Sequence, residues 1–329
     1  MNGVSVVIPV KNGADTLERC LQSVVDQTIA KDVEIIVLNS MSTDNSVEIA
    51  KRFNARIINI PGGTFNHGLT RNIGVQHASY DLIYLTVQDA WIGANDMLEK
   101  MSKHFDDVAV MAVVGHQAIP HEKDKNPFLW YKPYSAPQVM VRKVKDNETF
   151  EKLSVGEQQS LISWDNVVAM YRRSALAEQP FEKTAFAEDW IWSYNALKKG
   201  WKLLHDSSLV VYHYHHQSYQ YVFNSTYTIN YHFYKFFKYK PTLPALLSPM
   251  GKATYHLLKN KKLSVREKLY WILHNWSGRL GSYFSTFNFL TRLKTGGEKS
   301  IENGFNKYCR EIPQGKQKAK EKPVNLITK

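Results

Sequence analysis

The feature that most constrains the fold is an alternation of strand-like and helix-like segments along the first hundred or so residues. Short apolar runs rich in β-branched residues predict strands at 4–10, 34–38, 56–60, 82–86 and 108–114. Segments with helical spacing lie between them at 14–27, 43–53, 67–77 and 95–104. This order is typical of an α/β fold with a mostly parallel sheet covered by helices. Ligands bind such sheets beyond the carboxyl ends of the strands, so polar residues just after strands are the first candidates for a site.

The later part of the chain is less regular. Segment 120–156 is rich in Lys, Pro and aromatic residues with weak periodicity, which predicts long loops over the crevice. Order returns with a helix at 188–198 and a strand at 208–212. Two further helices are expected beyond residue 220. A capping box, Ser264 with Glu267, opens one whose apolar face is formed by Val265, Leu269, Ile272, Leu273, Trp276 and Leu280.

The charge balance changes near residue 220. Residues 221–329 carry 20 Lys and Arg against five Asp and Glu, whereas residues 1–220 carry 22 against 25. We therefore predict one domain over 1–220 and a helical, basic, aromatic-rich region over 221–313 that contacts an anionic membrane surface or a second copy. The charged segment 314–329 lacks large apolar groups and predicts a disordered tail.

Composition narrows the class of protein. With 329 residues and 43% hydrophobic content, the chain has the composition of a globular protein with a sizeable core. Cys20 and Cys309 match no metal spacing and no disulfide framework, as in a reducing cytosol. No signal-peptide pattern and no run of about 18 apolar residues is visible, so we expect a cytoplasmic protein whose membrane contact is peripheral.

Polar residues follow the first two predicted strands, where a nucleotide would bind. Pro9 and Lys11 lie at the first strand end, and Asn39 and Ser42 at the second, each before a helix. Backbone N–H groups at a helix start can bind anionic oxygens, and an amide or hydroxyl can pair with a base edge. Helix capping alone would also explain such residues.

Two further strand ends carry groups suited to a diphosphate and its cation. A glycine-rich turn at 61–68 leads into a helix that holds Arg71, whose guanidinium could reach a diphosphate. Asp89 ends the fourth strand, where a cation bound to phosphates would lie. A single Asp at a strand end is also a common turn former, so both interpretations stay open at this point.

The second half of the first domain supplies candidate bases and further ligands. Glu188 and Asp189 open a helix, where free N–H groups stabilise anions and where a carboxylate could act as general base. His213 and His215 follow a strand and share one face by alternation. Paired histidines can ligate a divalent ion or bind phosphate, although solvated strand-end histidines are the alternative.

Taken together, these segments resemble the family-2 glycosyltransferases, and in particular bacterial rhamnosyltransferases that use dTDP-L-rhamnose. The resemblance covers residues 3–220 and rests on the segments Phe65-Asn-His-Gly-Leu-Thr-Arg-Asn72, Thr86-Val-Gln-Asp-Ala90, Trp164-Asp-Asn-Val167 with Arg172-Arg173, Ala187-Glu-Asp189 and His213-Tyr-His215. It implies a GT-A fold and an inverting transfer of sugar to a hydroxyl of a cell-surface glycan or lipid-linked saccharide. The chain departs from the family pattern with Asn39 in place of a frequent Asp, and with Val87 and Gln88 in place of further acidic residues before Asp89.

The resemblance also implies roles for individual residues. Asp189 would be the catalytic base, with Glu188 beside it. The nucleotide sugar would be bound by Pro9, Lys11, Asn39, Ser42, His67, Arg71 and Gln88. A divalent metal, Mg²⁺ or Mn²⁺, would be held by Asp89, His213 and His215. The acceptor side would be lined by Trp164, Asp165 and Asn166.

Three alternatives remain open from the sequence. The donor could be another nucleotide sugar, such as UDP-galactofuranose or a UDP-hexosamine, because donor identity depends on few contacts. A nucleic-acid-binding protein is suggested by the pI of 9.4 and by the aromatic, basic segment 231–240, but it leaves the ordered crevice motifs without a role. A catalytically inactive binding module is disfavoured because both Asp89 and Asp189 are present.

Overall fold

The computed structural model describes residues 3–29, 32–62, 65–122, 125–128, 137–184 and 186–309. The strands are β1 Gly3–Val10, β2 Asp32–Asn39, β3 Arg56–Asn59, β4 Leu82–Leu85, β5 Ala90–Ile92, β6 Val110–Ala118, β7 Val139–Arg142, β8 Ala169–Arg172 and β9 Lys202–His213. The helices are α1 Leu17–Val25, α2 Ser46–Arg52, α3 His67–His77, α4 Met97–Lys103, α5 Asn147–Glu151, α6 Val155–Ile162, α7 Arg173–Glu178, α8 Glu188–Lys198, α9 Tyr219–Phe237, α10 Leu247–Lys259 and α11 Val265–Cys309. A short 3₁₀ helix spans His104–Asp106.

The strands form one mixed sheet in the order β3-β2-β1-β4-β8-β6-β9-β5, with β7 paired to β9. Strands β1 to β4 run parallel, β8 is antiparallel to both of its neighbours, and β6 pairs parallel with β9. Val10 lies opposite Asn39 in the register of β1 and β2. The loops that follow these two strands therefore leave the sheet side by side at its carboxyl edge.

Helices cover both faces of the sheet and create two cores. Alternation along β1 sends Val6 and Ile8 to the core under α1 and sends Val7 to the core under α3. Helix α3 lies close to the sheet because Gly74 faces Val7, and a Cβ at that position would overlap the Val7 side chain. Burial of these apolar side chains is the main force that fixes the strand ends relative to one another.

The region beyond residue 218 is helical and has a small core of its own. Tyr227, Tyr231, Phe289 and Ile301 are buried between α9 and α11. Helix α11 is interrupted at Gly297, where φ is +58°. The predicted capping box is confirmed, since Ser264 N donates to Glu267 Oε2 at 2.8 Å and Glu267 N donates to Ser264 Oγ at 3.3 Å.

The structure corrects several predictions. Segment 120–156 contains β7 and α5 rather than loops alone, and residues 219–309 form three helices rather than the two predicted. The predicted strand at 208–212 is the end of the much longer β9, and β5 and β8 were not predicted. The predicted disordered tail, 314–329, lies outside the described residues. No helix in the described ranges is both long enough and apolar enough to cross a membrane.

Candidate active site

Hydrogen bonds join the loops that follow β1 and β2. Asn12 N donates to Ser42 Oγ at 3.0 Å, and Thr43 N donates to Asn12 Oδ1 at 2.8 Å. Gly13 N donates to Ser46 Oγ at 2.8 Å. The two loops are therefore held as one unit at the carboxyl edge of the sheet.

The predicted nucleotide-binding residues after β1 and β2 differ in how far they are buried. Asn39 is 6% exposed, accepts from Ser42 N at 3.0 Å and donates to Asn59 Oδ1 at 2.9 Å. Its side-chain amide therefore stabilises the conformation of the loop after β2. Pro9 is half-buried at the end of β1, and Lys11 is exposed beyond it. Of these residues, Lys11 is the one that is exposed to solvent.

Gln88 ties the loop after β4 to the loop after β1. Its Oε1 accepts from Lys11 N at 2.7 Å, and its Nε2 donates to Lys11 O at 3.3 Å. Gly13 leaves room for this contact, because a Cβ there would lie 2.7 Å from the Gln88 amide. Gln88 thus fixes the position of the next residue, Asp89, beside the predicted nucleotide loops.

Asp89, His213 and His215 come together at the adjoining strand ends. Asp89 directly precedes β5, whose Ala90 pairs with His213 of β9. His213 Nε2 lies 3.3 Å from Asp89 Oδ1, and His215 Nε2 lies 3.6 Å from Asp89 Oδ2. Burial disfavours the charge of Asp89, but the two histidines outweigh it and hold the pKa of this carboxyl below its ordinary value.

The chemistry of this cluster fits a divalent metal ion. One ligand atom from each of the three side chains lies within 4.8 Å of the others. His213 Nε2 is buried without a hydrogen-bond partner of normal geometry among the described residues. Gln117 contacts the other ring nitrogen, Nδ1, which fixes the ring orientation. A ligand set of two imidazoles and one carboxylate is common for metals that accept both nitrogen and oxygen.

A second cluster contains the predicted catalytic carboxylates and lies beside the first. Glu188 Oε1 accepts from Arg71 Nη1 at 2.7 Å and from Asn166 Nδ2 at 3.2 Å. Arg71 is 4% exposed, so its guanidinium is buried against Glu188 rather than open to a diphosphate as the sequence suggested. Asp189 is half-buried and accepts from its own helix at Trp190 N and from Asn166 N.

The environment separates the acidities of the two adjacent carboxyl groups. Burial raises the pKa of Glu188, but the Arg71 guanidinium and the Asn166 amide outweigh it, so this pKa lies below its ordinary value. Burial and the neighbouring carboxylates of Glu188 and Asp165 raise the pKa of Asp189 well above its usual range. The Arg71 contact therefore favours the ionised form of Glu188. The raised pKa makes the Asp189 carboxylate a stronger base, which suits general-base catalysis.

The residues predicted to line the acceptor side differ in exposure. Trp164 is 2% exposed and donates to Tyr171 Oη at 2.7 Å, so its ring packs in the core and does not face an acceptor. Asn166, also 2% exposed, accepts from Tyr171 Oη at 2.6 Å. Asn166 contacts both carboxylates, and Trp164 is linked to Asn166 through Tyr171. Asp165 is half-buried between the two clusters, and burial raises the pKa of its carboxyl.

His67, predicted to bind the nucleotide sugar, lies one helical turn before Arg71. Arg71 Nη1 is 3.4 Å from both the main-chain oxygen and Nδ1 of His67. Burial lowers the pKa of this imidazole. The histidine therefore belongs to the buried support of the Arg71–Glu188 pair.

A cavity of about 380 Å³ lies beside the metal-ligand cluster and was not predicted from the sequence. Its lining includes Gln117, Asn126, His213, His215, Gln217 and His274. His274 belongs to α11, beyond residues 3–220 that carry the family resemblance, so the sequence gave no signal for it. A second hollow lies on the outer side of α1, around Arg19 and Trp91.

Comparison with known proteins agrees with this architecture. The O-antigen chain rhamnosyltransferase RfbN of Salmonella typhimurium is 32% identical over 219 residues, which cover 64% of this chain and 66% of that protein. The O-antigen chain rhamnosyltransferase WbaN of Salmonella anatum is 31% identical over 55% of this chain and 56% of its own length. The matches thus span less than two thirds of either relative.

Solved structures and a family model complete the comparison. The mannosyltransferase PcManGT from Pyrobaculum calidifontis, solved with GDP-Man and Mn²⁺, aligns over 94% of this chain and 87% of its own with a TM-score of 0.54 and 15% identity. This likeness supports the GT-A fold. The family model described as "Glycosyl transferase family 2" matches residues 5–178. That segment is more than half of the sequence, and the chain therefore belongs to glycosyltransferase family 2.

Proposed function

We propose that the protein is an inverting glycosyltransferase that moves L-rhamnose from dTDP-L-rhamnose to a hydroxyl of a cell-surface glycan or lipid-linked saccharide. The observation that carries this proposal is the meeting of two clusters at one sheet edge. Asp165 interacts electrostatically with both His213 and Glu188, so the metal-ligand cluster adjoins the carboxylate cluster. The rhamnosyl donor is supported by relatives whose names describe O-antigen chain rhamnosyltransferases.

In this proposal, the carboxylate cluster carries the proton transfer and the metal-ligand cluster binds the diphosphate. Asp189 accepts the proton of the acceptor hydroxyl as it attacks the anomeric carbon from the face opposite the nucleotide, which inverts the configuration. Glu188 remains ionised through its contact with Arg71 and keeps Asn166 oriented toward Asp189. Asn166 N then fixes the carboxylate that receives the proton.

Asp89, His213 and His215 would hold a divalent ion at the diphosphate. When bound, that ion supplies positive charge that stabilises the leaving nucleotide. The two imidazoles favour Mn²⁺ over Mg²⁺, because Mg²⁺ takes oxygen ligands almost exclusively. PcManGT, which shares the fold, was solved with Mn²⁺.

Calorimetric titration with a panel of nucleotide sugars in the presence of Mn²⁺ tests the donor assignment. We expect dTDP-L-rhamnose to bind more tightly than UDP-galactofuranose, UDP-N-acetylglucosamine and GDP-mannose. Tighter binding of a UDP-sugar would replace the rhamnosyl donor and leave the glycosyltransferase proposal in place. Absence of binding by every nucleotide sugar would contradict the proposal as a whole.

The aromatic segment that suggested nucleic-acid binding is used in packing. Tyr231 is 6% exposed and stacks on Phe305 with ring centroids 4.4 Å apart. Phe233 packs against Trp190 of α8 at 4.5 Å. Side chains held in these contacts cannot stack on bases, so the glycosyltransferase proposal explains this segment better.

We also propose that the protein works in the cytoplasm at the inner face of the cell membrane, which α10 and the start of α11 contact. Large apolar side chains on these helices are open to solvent: Leu247 is 85% exposed, Val265 82%, Leu269 59% and Leu273 55%. Residues 241–297 carry nine Lys and Arg but one acidic residue, Glu267. Apolar side chains among cations are suited to an anionic lipid surface.

Sedimentation with vesicles tests this membrane contact. We expect binding to phosphatidylglycerol vesicles at low salt, little binding to phosphatidylcholine vesicles, and a loss of binding in the double variant Leu269→Gln, Leu273→Gln. Val108→Gln is a matched control, because Val108 is 80% exposed but lies on the sheet domain. Equal binding to both vesicle types would contradict the electrostatic part, and a mass that doubles with concentration would assign this face to a second copy.

A further inference from the structure

The cavity of about 380 Å³ lies on the far side of the metal-ligand cluster from the nucleotide loops. Those loops follow β1 and β2, Asp89 follows β4, and the cavity opens where β6 and β9 end. His213 and His215 form one of its walls and also face Asp89. A molecule in the cavity would therefore border the point where the diphosphate is expected to end and the sugar to begin.

The walls of the cavity are polar but carry few charges. Side-chain amides come from Gln117, Asn126 and Gln217, and the other described lining residues besides the histidines are Ile119 and Tyr214. None of the described residues that line it is Lys, Arg, Asp or Glu. The volume lies within the range of about 300–1,000 Å³ that small-molecule sites occupy. Uncharged hydrogen-bonding groups in such a space match a ligand with hydroxyl groups rather than an anion.

His274 is the group that α11 contributes to this space. Its ring packs against His216 at 4.5 Å and against Trp271 at 5.3 Å, and none of the described residues donates to or accepts from its nitrogens. Burial and the nearby His216 lower the pKa of His274 to about 4, so the imidazole is neutral near pH 7. A neutral imidazole offers one donor and one acceptor, which matches a sugar hydroxyl.

The surrounding contacts hold this wall in place before any ligand arrives. Asn126 Nδ2 donates to Asn275 Oδ1 at 3.0 Å, and Asn275 Nδ2 donates to Asn126 Oδ1 at 3.2 Å. Tyr270 Oη lies 2.9 Å from His216 Nε2 and its ring stacks on that imidazole. These contacts join α11 to the loops of the sheet domain. A preorganised wall lowers the entropy that binding would otherwise cost.

We propose that this cavity binds an uncharged sugar ring, with His274 of the C-terminal helices hydrogen-bonded to one of its hydroxyls. The inference rests on the proposed glycosyltransferase function and adds a subsite to it. Two molecules of the reaction carry such a ring, the sugar of the donor and the terminal residue of the acceptor. The C-terminal region thereby takes part in sugar recognition as well as in membrane contact.

The test compares His274→Ala with His274→Gln, which retains hydrogen-bonding groups, and with Phe287→Ala, whose side chain is exposed on the same helix. Calorimetry gives the affinities of dTDP and dTDP-L-rhamnose with Mn²⁺. Saturation-transfer NMR with methyl glycosides of rhamnose, galactose, mannose and N-acetylglucosamine reports the binding of a free sugar ring. Melting temperatures confirm that each variant is folded.

A donor sugar in the cavity predicts that His274→Ala weakens dTDP-L-rhamnose about two- to tenfold while dTDP is unchanged, the loss expected for one hydrogen bond. An acceptor sugar predicts that both nucleotides bind normally while the signal of a glycoside is lost. In either case His274→Gln should bind more tightly than His274→Ala, and Phe287→Ala should match the unmodified protein. Unchanged nucleotide affinities together with unchanged or absent glycoside signals would overturn the inference. Failure of every nucleotide to bind the unmodified protein would contradict the proposed function, and the glycoside measurement would still decide whether the cavity binds a sugar.

Discussion

Replacing Asp189 by Asn separates the proposed chemical role of this carboxyl group from its structural role. Its Oδ1 accepts from Trp190 N at 2.8 Å, and its Oδ2 accepts from Asn166 N at 3.3 Å. Asn keeps an oxygen for the shorter bond, whereas its amide nitrogen cannot accept from Asn166 N. The loss of one long hydrogen bond costs about 1 kcal/mol or less.

The chemical effect should be much larger than this structural loss. Removing a general base lowers transfer by about two to four orders of magnitude, which corresponds to about 3–5 kcal/mol in the activation barrier. In the unmodified protein we expect transfer to fall as the pH decreases through the raised pKa of Asp189, because the protonated group cannot accept a proton.

Asp189→Asn should lower the rate of transfer but raise the thermal stability of the protein. The folded state raises the pKa of Asp189, so it binds this proton more tightly than the unfolded chain does. Above the unfolded pKa of about 3.9, stability is lost as the pH rises toward the folded value. Asn carries no charge beside Glu188 and Asp165. The variant should therefore melt at a higher temperature than the unmodified protein at pH 8.

We would measure turnover, donor affinity and melting temperature on the same preparation. Together they distinguish the chemical role of Asp189 from its structural role. Asp146→Asn is a matched control, because Asp146 also begins a helix, accepts from Thr149 N at 2.8 Å and is half-buried, as Asp189 is, but on a different helix. We expect the control to retain full turnover. Near-normal turnover in Asp189→Asn, or a fall in both donor affinity and melting temperature, would refute the assignment of a catalytic base.

Three other perturbations have defined outcomes. Glu188→Ala should lower the free energy of unfolding by about 3–5 kcal/mol, measured by urea denaturation, because it leaves the buried Arg71 cation without the carboxylate that pairs with it; an unchanged urea midpoint would contradict this. Gln88→Leu should weaken donor binding about tenfold in calorimetry with near-normal turnover at saturating donor, because it frees the Lys11 main chain; unaltered affinity would show that the loop needs no such contact. Chelation with EDTA should abolish transfer and Mn²⁺ should restore it, but not in Asp89→Asn; activity that persists after exhaustive chelation would exclude a required metal.

Much of the sheet could be predicted from the sequence because its strands are apolar runs that end in turn residues. Strand β5 was not predicted because it has three residues. The four-residue β8 was not predicted because it depends on pairing with β4 and β6. Local sequence preference is weak at such lengths, and the neighbouring strands decide the conformation.

The site was partly predictable for a similar reason. The meeting of Asp89 with His213 follows from strand ends that lie at the same edge, which the order of the motifs indicates. The Arg71–Glu188 pair could not be predicted, because 117 residues separate the two and only the packing of α3 near α8 brings them together. Periodicity identified the apolar stripe that includes Leu269, but the same pattern describes a buried and an exposed helix face.

Helix α9 contributes side chains to two hydrophobic cores at once. Phe233 and Phe237 pack on the core of the sheet domain, whereas Tyr227 and Tyr231 belong to the small core shared with α11. Because the small core buries far fewer apolar side chains, α11 should detach in a partial opening that leaves α9 on the sheet. Amide hydrogens of α11 should then exchange with solvent faster than those of β1. Mild heating would therefore displace His274 from the cavity first, while the hydrogen-bonded loops after β1 and β2 keep their native conformation.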